Sequence, residues 1–441
     1  MQQLADVLAK PGFQRAATNL GWLLAERAVR FLLGVVVGFI VARHLGPSRL
    51  GELSYCTAIV TLAGGVAALG LDAVVKRDLL AAPADTAGLL ASSAVLRLFA
   101  GLAAFGVLAA LGLAGRLGSG EEPRLLVILG LTLFSPALLV PDLWLQTHLQ
   151  AKRSVVAQTV ALAAGAALRI YLVRTDAPLA AFAGVVVLEA ALAAAGIALL
   201  ARGAGLRFAW RAAQPAVMRR LAAEAWPLMF AGLAVVVYMK IDEVMLRHLA
   251  GPAAVGIYSA ASRLTEIWYF LPLALASSLL PALWRARARG AADYRARLQH
   301  YYDLNAAVAY ALSIPLALAA GVIVRAAYGE AFAAAGPIVA VHIWSSVFVF
   351  LGVARGQWLV NEGLQRFYLA ATLAGAALNI GLNFLVIPRW GPLGAAAATV
   401  VSQALASWLS SFGLAAVRET GWMQTRALLV PVLGWRHLRR P

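Results

Sequence analysis

The chain has 441 residues, of which 62% are hydrophobic and only 13% charged, and its formal net charge is +17. A soluble protein of this length needs far more polar surface to cover its core, so this composition excludes a water-soluble globular chain. The basic residues lie in short connections between apolar runs, which is membrane topology rather than a nucleic-acid surface, and no nucleic-acid partner is expected.

A bilayer core is crossed by roughly 20 apolar residues. Runs of that kind predict six spans over residues 20–42, 52–74, 88–112, 125–147, 155–173 and 178–201, and six more over 226–249, 254–283, 302–326, 336–360, 367–388 and 391–416. Residues 1–18 are mildly basic and carry no cleavage pattern, and the apolar run after them is too long for a signal core, so the first span is expected to stay attached. The single cysteine, Cys56, rules out an intramolecular disulfide. Spans two and eight lie in stretches longer than a bare crossing, consistent with tilt or protrusion.

Lysines and arginines orient the spans. With the N-terminus on the cytoplasmic side, inner segments hold 22 of the 37, outer loops hold 8, and the other 7 fall inside spans. A miscounted span would scramble that alternation. Twelve spans with both termini cytoplasmic are therefore predicted, and the first membrane met is the inner one.

The connection after span one reads Arg43-His44-Leu45-Gly46-Pro47, followed by Gly51 and Ser54. The connection after span seven reads Arg247-His248-Leu249-Ala250-Gly251-Pro252, followed by Gly256 and Ser259. Six spans separate the copies, an even number, so both face the same side. This predicts two parallel six-helix halves, residues 1–205 and residues 206–441 with a basic tail, related by an axis along the membrane normal. Transporters built this way carry substrate in a cleft between halves.

Charges inside spans are costly and usually face a cavity or a partner. Span one carries Glu26, Arg27 and Arg30; Glu26 and Arg30 share a face and can pair, while Arg27 points elsewhere. An intrahelical pair with Arg27 reaching toward water is one reading, and a basic wall for an anionic substrate is the other. Span seven carries Lys240, Asp242 and Glu243, with Lys240 and Glu243 spaced to pair and Asp242 on another face. On span eight, Ser259, Ser262, Arg263 and Glu266 fall within about 100° of arc, a wet stripe that reads as cavity lining or as glue between helices. Arg97 is expected to pair or to reach for water, Arg169 and Arg355 to reach for water from span ends, and Glu189 to sit alone. Asp72, Asp142 and the Glu121-Glu122 pair are read as solvated. Asn379 and Asn383, one turn apart, suggest hydrogen bonds between helices. Prolines 136, 141, 272 and 315 predict kinks.

Other chemistry finds no support. None of the four lysines follows the glycine pattern of a nucleotide-binding loop, and the six histidines are scattered, so no cofactor or metal is expected. The longest connection, of roughly 23 residues before span seven, is too short to hold a polymerase or glycosyltransferase site.

The stretch from Leu32 to Asp72 (LLGVVVGFIVARHLGPSRLGELSY…LGLD), the Lys240-Ile241-Asp242 triplet and the run from Gly256 to Leu264 (GIYSAASRL) resemble polysaccharide-biosynthesis membrane proteins. These are the Wzx-type oligosaccharide flippases of the multidrug/oligosaccharidyl-lipid/polysaccharide (MOP) superfamily. The resemblance implies an all-α integral membrane protein, not an enzyme, with two six-helix lobes in a V that opens alternately to each side. It implies a lipid-linked oligosaccharide, carried on undecaprenyl pyrophosphate, as substrate. Membrane lipid, a coupling proton or Na+ and glycan polymerase or assembly proteins would be its partners. A pyrophosphate suits a cationic cavity, because arginine offers paired contacts to phosphate oxygens. On that resemblance Arg27, Arg30, Lys240 and Arg263 would bind substrate. Glu26, Asp242, Glu243, Ser259, Ser262 and Glu266 would position them or take the coupling ion. An ion-coupled multidrug exporter of the same superfamily and a membrane glycan polymerase or ligase are the rival readings.

Overall fold

The computed structural model describes the backbone of residues 11–81, 85–118 and 120–433, and within these the side chains from Leu33 to Pro431 apart from Pro281 and Ala288. Among the described residues all regular structure is helical: α1 (Pro11–Ala67), α2 (Leu71–Ala81), α3 (Thr86–Leu113), α4 (Glu122–Thr147), α5 (Ala151–Arg174), α6 (Leu179–Gly203), α7 (Pro215–Ala250), α8 (Pro252–Arg287), α9 (Ala291–Tyr328), α10 (Ala335–Asn361), α11 (Gln365–Ser407) and α12 (Ala415–Leu428). In lipid every backbone polar group needs an internal partner, which a helix supplies within its own segment.

Ten helices among the described residues are long and apolar enough to cross a bilayer, against twelve predicted spans. The difference lies in α1 and α11, which each hold two predicted spans. α1 breaks at Gly46 (φ 70°, ψ 174°) and α11 at Gly391 (φ 54°, ψ −134°), so the sequence's loop is a single glycine. Glycine enters positive φ without a Cβ clash, and the proline that follows each (Pro47, Pro392) opens the next helical arm, where a missing N–H costs little. Gly251-Pro252, between α7 and α8, repeats the device at φ 87° and ψ 175°. The two copies of the sequence repeat thus share one backbone turn. Their next small residues also meet. A Cβ on Gly51 would collide with the Pro252 carbonyl, and one on Gly256 with the Pro47 carbonyl. Beside them the Ser54 hydroxyl donates to Ser259 Oγ at 3.1 Å.

Contacts divide the chain into two compact units. Of the described residues, the first holds those through His44 together with those of Ala63–Met229, and the second holds Leu45–Leu62 with those from Phe230 onward. The division falls inside α7 rather than at residue 205, and the segment around Gly51 belongs with the second unit, where its contact with Gly256 places it.

The first unit packs around Leu71, Val75, Leu90, Val140, Leu145 and Ile197. α5 and α6 approach closely because Gly196 faces Ala157, where an added Cβ would stand 3.0 Å from the alanine's own. Of the two readings of Arg97 the structure shows pairing: it is 3% exposed and donates to Asp72 Oδ1 at 2.6 Å and to the Pro136 carbonyl at 3.1 Å. Three expectations about charge are corrected here. Arg169 does not reach for water but pairs with Glu189 at 2.7 Å, so Glu189 is not alone. Glu122 is fully buried rather than part of a solvated turn. Farther along, α2 and the start of α7 are joined by Arg77, Asp78, Arg220 and Glu224, with Arg220 on Asp78 at 2.6 Å and Arg77 on Glu224 at 2.5 Å.

The second unit packs around Tyr302, Ala306, Leu351, Ala354, Leu359 and Val417. Arg355, expected to reach water from the end of its span, is 1% exposed instead. It donates to Ser410 Oγ (2.8 Å), Ser411 Oγ (2.7 Å) and the Ala406 carbonyl (2.5 Å), at the C-terminal end of α11. Unsatisfied carbonyls and the negative end of the helix dipole favour a cation there. Gln424 of α12 donates to the next carbonyl, Ser407 O, at 2.9 Å. The tail helix therefore covers the ground through which Arg355 would have reached water.

Candidate transport site

Of the residues singled out from the sequence, Glu26, Arg27 and Arg30 have side chains outside the described residues. The remaining seven lie on α7 and α8 in the second unit, and they fall into three groups.

Asp242 forms the first. It is 3% exposed, on the face of α7 away from Lys240. Its Oδ2 accepts from the Tyr258 hydroxyl at 2.6 Å and from Thr399 Oγ1 at 2.7 Å, and its Oδ1 accepts from Asn383 Nδ2 at 2.6 Å. The same Asn383 amide reaches Asn379 Oδ1 at 3.2 Å. α7, α8 and both arms of α11 thus converge on one carboxylate. Each donor is neutral, so hydration is replaced while the charge is not cancelled. The surrounding oxygens (the Asn379 amide, the Thr399 hydroxyl and the Ala395 carbonyl that this hydroxyl meets at 3.0 Å) suit a hard cation, and the carboxylate alone suits a proton. Tyr238 donates to Ser402 Oγ at 3.1 Å and extends the polar network along the second arm of α11.

Lys240, Glu243, Arg263 and Glu266 form the second group. Lys240 Nζ pairs with Glu243 Oε1 at 2.8 Å, as their spacing predicts. Glu266, half-buried, lies within electrostatic reach of Lys240, Glu243, Asp242 and Arg263. Arg263 is exposed and has no ion pair or hydrogen bond among the described residues. A guanidinium in this state keeps its full set of donors for an incoming anion.

Ser259 and Ser262 form the third group, and here the predicted stripe divides. Both are buried. Ser259 donates to the Gly256 carbonyl and receives Ser54, while Ser262 donates to the Ser259 carbonyl at 3.3 Å. Ser259 fastens two helical segments and Ser262 bonds within its own, so of the stripe Arg263 and Glu266 remain within reach of a ligand.

The sequence reading missed Tyr258 and Thr399. Tyr258 was within reach, because the aligned position in the first copy of the repeat is Leu53, so the tyrosine stands out inside the repeated frame. Thr399 stands in an alanine-rich run that shows nothing unusual. Nearby, His342 is buried, bonds Thr265 at 2.7 Å and meets the Tyr258 ring edge-on at 5.8 Å.

A helical frame with two sequence-repeated, glycine-turned helix pairs and polar groups gathered on α7, α8 and α11 defines a polytopic membrane transporter fold. The chain superposes on an inward-facing multidrug resistance MATE family transporter of the MOP superfamily with a TM-score of 0.72 and 15% identity, covering 90% of this chain and 94% of that one. It superposes on the lipid II flippase MurJ in an inward closed conformation with a TM-score of 0.70 and 11% identity, covering 92% and 90%. At these identities the likeness is one of fold. The family profile for polysaccharide biosynthesis proteins matches residues 16–287, and the MatE profile matches residues 227–385. The chain belongs to the polysaccharide biosynthesis protein family. It is similar to the probable flippase AglR of Haloferax volcanii, 31% identical over 183 residues, which are 39% of this chain and 37% of that protein. It is also 34% identical over 91 residues to an uncharacterized membrane protein, YabM, of Bacillus subtilis, with 20% of this chain and 16% of that protein covered. The chain thus spans well under two thirds of the length of the curated relatives it matches.

Proposed function

We propose that the protein moves a lipid-linked oligosaccharide, carried on undecaprenyl pyrophosphate, from the inner to the outer leaflet of the cytoplasmic membrane by alternating access. The observation that carries this reading is Arg263, exposed and unpaired among the described residues beside Lys240 and Glu266. A pyrophosphate offers several acceptor oxygens to such a guanidinium, and Lys240, held by Glu243, adds a second positive charge. Asp242 takes a proton or Na+ as the coupling ion, because its buried charge is held only by neutral groups. Both termini lie on the cytoplasmic side, in keeping with the lysine and arginine distribution.

The test is a proteoliposome assay with a fluorescent undecaprenyl-pyrophosphate oligosaccharide. Transfer to the far leaflet is expected, faster under a proton or sodium gradient, and it falls to background in Arg263→Ala. A second reading, an ion-coupled drug exporter, is favoured by the MatE profile match across the segment that holds Asp242. Movement of a cationic dye with no movement of the glycolipid would replace the first reading with the second.

A further inference from the structure

At the end of the first unit where α4 joins α5 and α6 leads toward α7, a cavity of about 680 Å³ is lined by Pro141, Ala198, Arg202, Gly205, Leu206, Arg207 and Phe208. Arg202 and Arg207 are exposed, and neither has an ion-pair or hydrogen-bond partner among the described residues. Gly205 makes the turn between them at a φ of 100°, which a side chain would strain, and so brings both guanidinium groups to one cavity. Among the described residues no carboxylate lines the space. The neighbouring Asp142 is engaged by the Gln146 amide at 2.8 Å, and Arg153, close to Gly203, donates to the Leu200 carbonyl at 3.0 Å. The remaining walls are apolar. Trp210, 40% exposed and edge-on to Phe208 at 5.3 Å, stands beside them as aromatic residues do at a membrane–water boundary.

A site with uncompensated cations at one end and an apolar wall at the other calls for a ligand divided in the same way. A soluble phosphate would use the arginines and leave the apolar wall wet. We propose that this cavity binds the headgroup of an anionic phospholipid, with Arg202 and Arg207 holding its phosphate and Ala198, Leu206 and Phe208 receiving the start of its acyl chains. The site lies in the first unit and does not depend on the transport reading of Asp242 and Arg263.

The test is hydrogen–deuterium exchange of the full chain in nanodiscs of phosphatidylcholine, with and without phosphatidylglycerol. Phosphatidylglycerol should slow exchange over residues 198–211 several-fold in the native chain. The difference should vanish in R202Q/R207Q and persist in the charge-matched R418Q/R426Q. Both cavity arginines are exposed, so the variant should match the native melting temperature in phosphatidylcholine discs. Slowing that survives R202Q/R207Q, or its absence in the native chain, would overturn the proposal. Equal slowing by soluble glycerol phosphate in phosphatidylcholine discs would overturn it too, by making the ligand a free phosphate.

Discussion

In the first unit Arg97 meets Asp72 and Arg169 meets Glu189, cation on anion. In the second unit Asp242 meets a tyrosine, a threonine and an asparagine, while Arg355 meets two serines and a carbonyl. All of these groups find hydrogen-bond partners, but the two pairs of the first unit cancel their charges, whereas Asp242 and Arg355 of the second are held by neutral groups alone. A cancelled pair is finished chemistry and serves as scaffold. An uncancelled carboxylate can still gain from a proton or a metal ion, so the second unit retains the capacity to respond to an ion.

The strongest way to break this contrast is Asp242→Asn, which keeps the shape and removes the charge while turning one of the two accepting oxygens into a donating NH2. Transport in a complementation assay should fall to background at normal protein abundance; normal transport would make Asp242 a structural residue like Glu189. Next, Arg169→Leu or Glu189→Leu alone should lower stability by ~3 kcal/mol, since each strands a charge inside the helices. The double variant should recover most of that loss in detergent melting curves, and additive losses would show that the two do not act as a pair. Arg355→Met should cost ~2 kcal/mol by removing the donor to Ser410 Oγ and Ser411 Oγ, the Ala406 carbonyl keeping the Ser410 hydroxyl, with transport retained. Last, Lys240→Gln should lower stability by ~1 kcal/mol, because the amide can still donate to the buried Glu243 carboxylate once the positive charge is gone. Its measurable effect should fall on glycolipid affinity, and an unchanged affinity would remove Lys240 from the substrate site.

The spans and the repeat were legible because both are local: apolar length, basic connections and a short motif copied at a fixed offset. The pairing of Lys240 with Glu243 was legible for the same reason, since helical geometry brings residues three apart together. The partners of Asp242 were not, because Asn383 and Thr399 stand 141 and 157 positions away and meet it only once α11 is packed. Arg355 was misread because position within a span says how far water is along one helix, not what another helix has placed in the way. Glu189 and Arg169 lie on consecutive helices, so hairpin geometry alone would have suggested their pairing. The split of the span-eight stripe has a similar cause. Helical spacing puts Ser259 and Arg263 on one face, but the segment carrying Ser54 covers only the serine end.

The contact between Gly51 and Gly256 bears on how this chain can change over time. Each glycine lies against the carbonyl that opens the other's helical arm, so the surface is its own complement, in the manner of a two-fold interface. Around this contact the two copies differ, Leu53 against Tyr258 among them, and Tyr258 has joined the hydrogen bonds of Asp242 while Leu53 has not. At the contact itself neither can drift, because any side chain added on one side meets backbone on the other, which has no rotamer with which to yield. The two copies of the repeat can differ around this contact but not at it.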